Sequence, residues 1–314
     1  MGTPVRLVPV VTRVTVRVPA KINLCLGVGR VRPDGFHPLA TVYQAVDLHD
    51  ELRITAREDG ELSVAVHTEF DLPEGMSVPE GPDNIAVRAA QLLRERLGDP
   101  GLGAEIAIRK VIPVAGGMAG GSADAAAALV GCNELWGGGL GRADLEPLAA
   151  ELGSDVPFLL HGGNAIGGGR GETVSPVLAR GGYHWVFATS SEGLSTAAVY
   201  AEFDRLNPGA PEVPEVPDEL INALRAGDAH ALGRALSNDL TDASLSLRPE
   251  LADTLEVGLE AGALGAVISG SGPTTAFLAA SEEHALDLAM ALASTGSAAD
   301  VIQSRGPVSG ARLV

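Results

Sequence analysis

From residue 113 the chain runs Pro113, Val114, Ala115, Gly116, Gly117, Met118, Ala119, Gly120 and Gly121, then enters Ser122, Ala123 and an alanine-rich run that reaches Leu129. Four glycines and two alanines in nine residues free the backbone for positive φ and let its N–H groups gather around an oxyanion. Ser122 reads as an N-cap. The helix behind it, with Leu129, Cys132 and Leu135 on one face, would aim its unpaired N–H groups and its dipole at the loop. A helix start that opens on a glycine loop is an anion site. It matches neither common nucleotide signature: no lysine follows to make a Walker A loop, and Met118 stands where the Rossmann fingerprint needs a glycine.

Charged residues near this loop are few. Lysine occurs only at Lys21 and Lys110, among 22 lysines and arginines. Lys21 lies in an apolar, strand-like run, where an ammonium either finds a charged partner or snorkels at a sheet edge. Lys110 ends a strand just before the loop, placed to hold phosphate or simply to close the strand. Asp155, near Pro157 at a short helix start, reads in isolation as a cap, and Asn84 reads either as a cap or as a contact to a nucleotide base. Phe36 and His37 stand side by side after a Pro-Asp-Gly turn; such a pair suits a flat heterocycle, one ring stacking and the other hydrogen bonding.

The elements that must position these groups follow from patterning. Alternation over residues 14–18 marks a first strand, with no cleaved signal peptide over residues 1–20. Segments 41–48, 52–57 and 62–67 read as an antiparallel meander, followed by a helix from Asn84 to Gly98 and a strand over 104–109. Beyond the glycine-loop helix, residues 140–152 and the segment opening at 153 read as helices. A second glycine cluster at 162–169 has no capped helix behind it and suggests crowded strands. A βα-rich half follows, with helices near 196, 218–236, 249–261 and 282–293 and a late Ser269, Gly270, Ser271, Gly272, Pro273 turn. The expected organisation is α+β in two domains, 1–179 and 180–314.

Composition narrows the partners. With 314 residues, 46% hydrophobic, the chain can bury a full core. A formal charge of −18 argues against nucleic acid and anionic membranes, so an anionic substrate must meet a local basic patch. Cys25 and Cys132 sit in apolar contexts that fit reduced thiols of a cytoplasmic protein. No feature sets an oligomeric state.

Taken in order, Pro19-Ala-Lys21-Ile-Asn23, Asp34-Gly-Phe36-His37, Lys110-Val-Ile-Pro113 with the glycine loop, Gly153-Ser-Asp155-Val-Pro-Phe158 and the late Ser-Gly-Ser-Gly-Pro turn resemble the GHMP kinase superfamily. The second and fourth of these blocks set the chain apart from mevalonate, homoserine and galactose kinases. They make it similar to the superfamily branch that acts on a CDP-linked methylerythritol in non-mevalonate isoprenoid synthesis.

The resemblance implies a ribosomal-protein-S5-like N-terminal domain, a ferredoxin-like C-terminal domain, and transfer of phosphate from ATP with Mg²⁺ to the 2-hydroxyl of a small CDP-linked polyol. It casts Lys21 and Asp155 as the catalytic pair and residues 113–123 with Asn84 as the ATP site. Asn23 would hold the substrate near the reacting carbon. His37 would read the cytosine edge between Phe36 and Tyr200, with Thr196 a turn earlier. No acidic residue stands out as a Mg²⁺ ligand. Ala115, Ala119 and Ala123 depart from the glycine, glycine and serine of many relatives, and Phe36 replaces a tyrosine. A methyl at 115 or 119 is expected only where φ is negative. Another small-molecule kinase of the superfamily and a non-catalytic ATP-binding relative are the remaining alternatives.

Overall fold

The structure is a computed structural model that describes residues 11–72 and 77–314. Part of the segment read as free of a signal peptide, residues 1–10, lies outside the described residues.

The chain begins with β1 (Arg13–Val28), β2 (Leu39–Arg57) and β3 (Leu62–Thr68), then α1 (Ile85–Leu97), β4 (Gly103–Lys110), α2 (Gly120–Leu135), α3 (Arg142–Leu152), α4 (Val156–His161), β5 (Asn164–Gly168) and β6 (Thr173–Pro176). The second half comprises β7 (Tyr183–Thr189), α5 (Thr196–Leu206), α6 (Asp218–Ala226), α7 (Ala229–Ala235), β8 (Ser237–Asn238), α8 (Thr241–Leu247), α9 (Glu250–Glu260), β9 (Gly265–Ile268), β10 (Thr275–Ala279), α10 (Glu282–Thr295), β11 (Asp300–Gly306) and β12 (Arg312–Leu313).

The first sheet has the order β12-β1-β2-β4-β3, with β5 and β6 extending from β2 and β8 pairing with β1. The second is antiparallel, in the order β11-β7-β10-β9, backed by α9 and α10. This is the expected α+β architecture. Strands β8 and β12, both beyond residue 180, add to the first sheet through β1.

The meander does not form. Residues 41–57 belong to one long strand, because Leu48 and Asp50 stay buried across the polar stretch that reads as a turn. Strand β4 inserts between β2 and β3, and β3 runs parallel to β4 with α1 as the crossover that parallel neighbours require. The helix expected over 218–236 is two, broken at Gly227, which sits at φ +71°.

Helix α2 lies in the middle of the first half, with Ala123 and Ala125 to Ala128 fully buried. Its small side chains let it press on the sheet: a Cβ at Gly131 would stand 2.5 Å from Ile54 Cδ1 and 2.9 Å from Val16 Cγ2. Asn84 caps α1 by accepting the Ala86 N–H, and left-handed Gly98 ends it. Gly162 and Gly167 are hemmed in by Gly310 and Tyr43, the crowding expected of the second glycine cluster.

Candidate active site

Strand β1 slips register against β2 twice, between Pro19 and Ala20 and between Asn23 and Cys25. These irregularities flank Lys21 and Asn23 and re-aim the segment that carries them. Lys21 is buried. Its Nζ donates to Asn23 Oδ1 at 2.7 Å and to the Gly117 carbonyl at 3.0 Å, and stands 3.6 Å from Asp155 Oδ2. The snorkelling alternative is thereby excluded. Asn23 donates in turn to Thr41 Oγ1 at 2.8 Å, which fixes its amide. Asp155 occupies the N-cap position of α4, yet its side chain makes no capping bond, and it is turned to the lysine instead. Tyr43 packs nearby; burial, reinforced by the Asp155 charge, pushes its phenol well up.

The glycine loop joins β4 to α2, and φ is positive at residues 115, 117 and 119 but not at the residues between them. Such alternation curls successive N–H groups toward one side, an anion-binding concavity. Two expectations fail here. Ala115 and Ala119 sit at φ +53° and +60°, not at negative φ. Ser122 is no N-cap: the helix already begins at Gly120 behind left-handed Ala119, with no side-chain cap, because the glycines themselves take helical geometry. The Ser122 side chain lies at the third helical position, on the wall of the cleft.

Lys110 does not reach out to the loop as a free cation. It is buried between Asp50 and Asp124, hydrogen-bonded to both, at 2.8 Å from Asp124 Oδ2. Asp50 also accepts the N–H groups of Val111 and Ile112, so one carboxylate ties down the start of the loop. Burial would lower the Lys110 ammonium, but Asp124 and Asp50 outweigh it and hold it above its usual value. Burial pushes the Asp124 carboxyl up.

A cleft of about 1460 Å³ connects these groups with those of the second half. Its wall includes Lys21, Asn23, Phe36, His37, Asn84, the loop from Pro113 to Gly117, Ser122, Asp155, Thr196 and Tyr200; Met118 and Ala123 are buried behind it. His37 packs on Tyr200 with ring centroids 4.8 Å apart, and Phe36 is half exposed beneath the Arg170 guanidinium, 4.6 Å from its ring. Burial and then the Asp155 charge raise the Tyr200 phenol. Thr196 Oγ1 meets Ser271 Oγ at 2.9 Å, linking α5 to the late turn. Sequence reasoning missed Asp50, Asp124, Asp204 and Arg170. The one available signal was an aspartate near the start of an alanine helix, at Asp124. Cys25 and Cys132 are free and buried, and burial raises the Cys25 thiol to about 12. Among the described residues no three His, Cys, Asp or Glu converge on a metal position, and no helix is long and apolar enough to cross a membrane.

Comparison with known proteins agrees with this geometry. Residues 84–163 match the model of the GHMP kinases N terminal domain, and residues 220–298 that of the GHMP kinases C terminal region. The chain is 55% identical over 305 residues to the 4-diphosphocytidyl-2-C-methyl-D-erythritol kinase of Thermobifida fusca (strain YX), covering 96% of this chain and 99% of that one. It is 53% identical over 302 residues to the kinase of the same name from Nocardia farcinica (strain IFM 10152), with 96% of each covered. A solved 4-(cytidine 5'-diphospho)-2C-methyl-D-erythritol kinase superposes with a TM-score of 0.73 at 31% identity, over 93% of this chain and 98% of that one. The L. major mevalonate kinase superposes as well, with a TM-score of 0.74 over 99% of this chain and 100% of that one, but at 18% identity it shares only the fold. Since the identity extends through both halves that build the cleft, the chain belongs to the 4-diphosphocytidyl-2-C-methyl-D-erythritol kinases of the GHMP kinase family.

Proposed function

We propose that this chain transfers the γ-phosphoryl group of ATP to the 2-hydroxyl of 4-diphosphocytidyl-2-C-methyl-D-erythritol, giving the 2-phosphate and ADP in isoprenoid precursor synthesis. The observation that carries the reading is the Lys21–Asp155 pair, 3.6 Å apart on the cleft that the glycine loop lines.

Phosphoryl transfer needs positioning and charge stabilisation more than covalent chemistry. Asp155 has its second face open to the cleft, where it orients the acceptor hydroxyl and takes its proton. Lys21, held by Asn23 and the Gly117 carbonyl, pairs with Asp155 and stabilises charge on the attacking oxygen. The N–H groups of residues 115–121 and the α2 N-terminus cradle the triphosphate, and Asn84 and the Pro113 end of the loop lie toward its nucleoside. Asn23 contacts the polyol near its reacting carbon. Phe36 and Tyr200 flank the cytosine, His37 reads its edge, and Thr196 contacts the substrate beside them.

Mg²⁺ suits this arrangement as the companion of the nucleotide. It prefers phosphate and water oxygens, and the Ser122 hydroxyl is the oxygen the loop offers it. It would neutralise charge on the phosphates. A cytoplasmic location fits the buried, reduced thiols.

The test is transfer from labelled ATP with Mg²⁺ to the cytidyl substrate, run beside mevalonate, homoserine and galactose. Transfer confined to the cytidyl substrate is expected. Transfer to another acceptor instead would discard the cytosine pocket, and ATP binding without transfer would favour the non-catalytic alternative.

A further inference from the structure

One helix both packs and hydrogen-bonds His37. Its Nε2 lies 2.9 Å from Asp204 Oδ1, its ring centroid 4.8 Å from that of Tyr200 at 38°, and 6.1 Å from that of Phe203 in an edge arrangement at 80°. Tyr200, Phe203 and Asp204 occupy i, i+3 and i+4 of α5, so a single helical face packs the imidazole and hydrogen-bonds it. His37 is buried, and the ring has little freedom to turn over.

An ionised carboxylate has only acceptor sites. The nitrogen facing Asp204 must therefore carry the hydrogen, and in a neutral imidazole the other nitrogen then presents a lone pair. That other nitrogen, Nδ1, makes no hydrogen bond to the described residues, and His37 lines the cleft. An acceptor there suits a ligand that offers N–H. Cytosine offers its exocyclic amine; uracil offers a carbonyl at the same position, and two lone pairs would face each other.

We propose that Asp204 is a positioning residue that fixes the tautomer of His37, so that Nδ1 accepts from the exocyclic amine and the cleft selects cytidyl over uridyl substrates. This rests on the reading above that His37 meets the base. Discrimination of this kind is strong because the wrong base leaves a desolvated polar group unpaired, whereas loss of one well-placed hydrogen bond is worth about tenfold in binding.

The experiment compares kcat/KM for the cytidyl substrate and its uridyl counterpart at pH 8, where a free imidazole is neutral. It uses the full chain as wild type, Asp204→Ala, Asp204→Asn and His37→Ala. Asp204 is on the surface of α5, its side chain 39% exposed, and circular dichroism checks that the helix survives. For Asp204→Ala the preference for cytidyl substrate should fall about tenfold, carried by KM for that substrate, with KM for ATP within about twofold of wild type. Asp204→Asn keeps an oxygen that can accept from Nε2 and should recover most of the preference. ¹⁵N spectra of histidine-labelled protein should show His37 protonated on Nε2 in wild type and a mixture of tautomers in the alanine variant. An unchanged preference in Asp204→Ala, or a wild-type His37 protonated on Nδ1, overturns the proposal. If His37→Ala loses the preference while Asp204→Ala keeps it, the base reading stands and the role of Asp204 falls. If His37→Ala keeps it, the base reading itself falls.

Discussion

Replacing Asp155 by asparagine separates chemistry from architecture in this cleft. The change keeps shape and removes one charge. Asp155 stands at the start of α4 without capping it, and its side chain is 28% exposed, although the buried Lys21 loses its counter-charge. At 3.6 Å and an effective dielectric near 20, the attraction to Lys21 is about 4–5 kcal/mol, and partial exposure screens this to about 1–2 kcal/mol of folding stability at most. Lys21 keeps Asn23 Oδ1 and the Gly117 carbonyl, which further limits the loss. On the proposed mechanism the acceptor hydroxyl, in contrast, loses the group that takes its proton, an effect of about 10²–10⁴ in rate. The expected outcome is kcat for the cytidyl substrate down about a thousandfold, KM for ATP within about twofold, and a melting temperature within a few degrees of wild type. The assay pairs steady-state phosphate transfer with ATP titration on the same preparation. Turnover within tenfold of wild type would refute Asp155 as proton acceptor. Loss of ATP binding together with turnover would mean that the pair shapes the phosphate loop instead of acting on the hydroxyl.

Lys110→Met should unfold more readily than any change on the cleft surface, because it leaves Asp50 and Asp124 buried without their cation; about 3–5 kcal/mol is at stake, read as the midpoint shift in urea, and adding Asp124→Asn should restore part of it. At Gly117, where φ is +74° and a Cβ would stand 1.9 Å from the Ser269 carbonyl oxygen, alanine should raise KM for ATP more than tenfold while far-ultraviolet circular dichroism stays native. His49 makes the fold sensitive to acid. Burial lowers its imidazole below 6.5 against the opposing pull of Asp47, and its Nε2 is buried without a partner among the described residues. The unfolded chain then binds more protons than the fold, so stability falls as pH drops through 6.5, and His49→Gln should flatten that limb of the stability profile.

The parts of this site that the sequence made legible were departures from its own habits. A chain that otherwise uses arginine has a lysine inside an apolar strand, and glycines crowd before an alanine helix; each stands out and points to a specific chemistry. The unread parts depend on pairing over long separations. Nothing local marks Asp50 as the partner of Lys110, sixty residues on, since both are strand residues whose meeting depends on the register of β2 against β4. The tight turn joining them suggests that β3 pairs with β2, whereas parallel pairing with β4 is decided by where α1 packs. Asp204 reads as an ordinary polar residue of an amphipathic helix until α5 is laid against the segment carrying His37, 167 residues earlier.

The left-handed alanines show how the two halves are joined energetically. Each of Ala115 and Ala119 stands at an unfavourable φ, at a cost of roughly 1–2 kcal/mol. An isolated loop would relax out of that shape. Here the Lys21 backbone N–H donates to the Met118 carbonyl at 3.2 Å, its ammonium donates to the Gly117 carbonyl, and Ser269 Oγ donates to that same carbonyl at 3.0 Å. The loop is thus gripped from one side by β1, which carries Lys21, and from the other by the late serine-glycine turn of the second half. The carbonyl of residue 117 faces inward to both donors, and the alternating φ leaves the neighbouring N–H groups to the cleft. Ordering the glycine loop and orienting Lys21 are therefore one event, and a change in the late turn should disturb both.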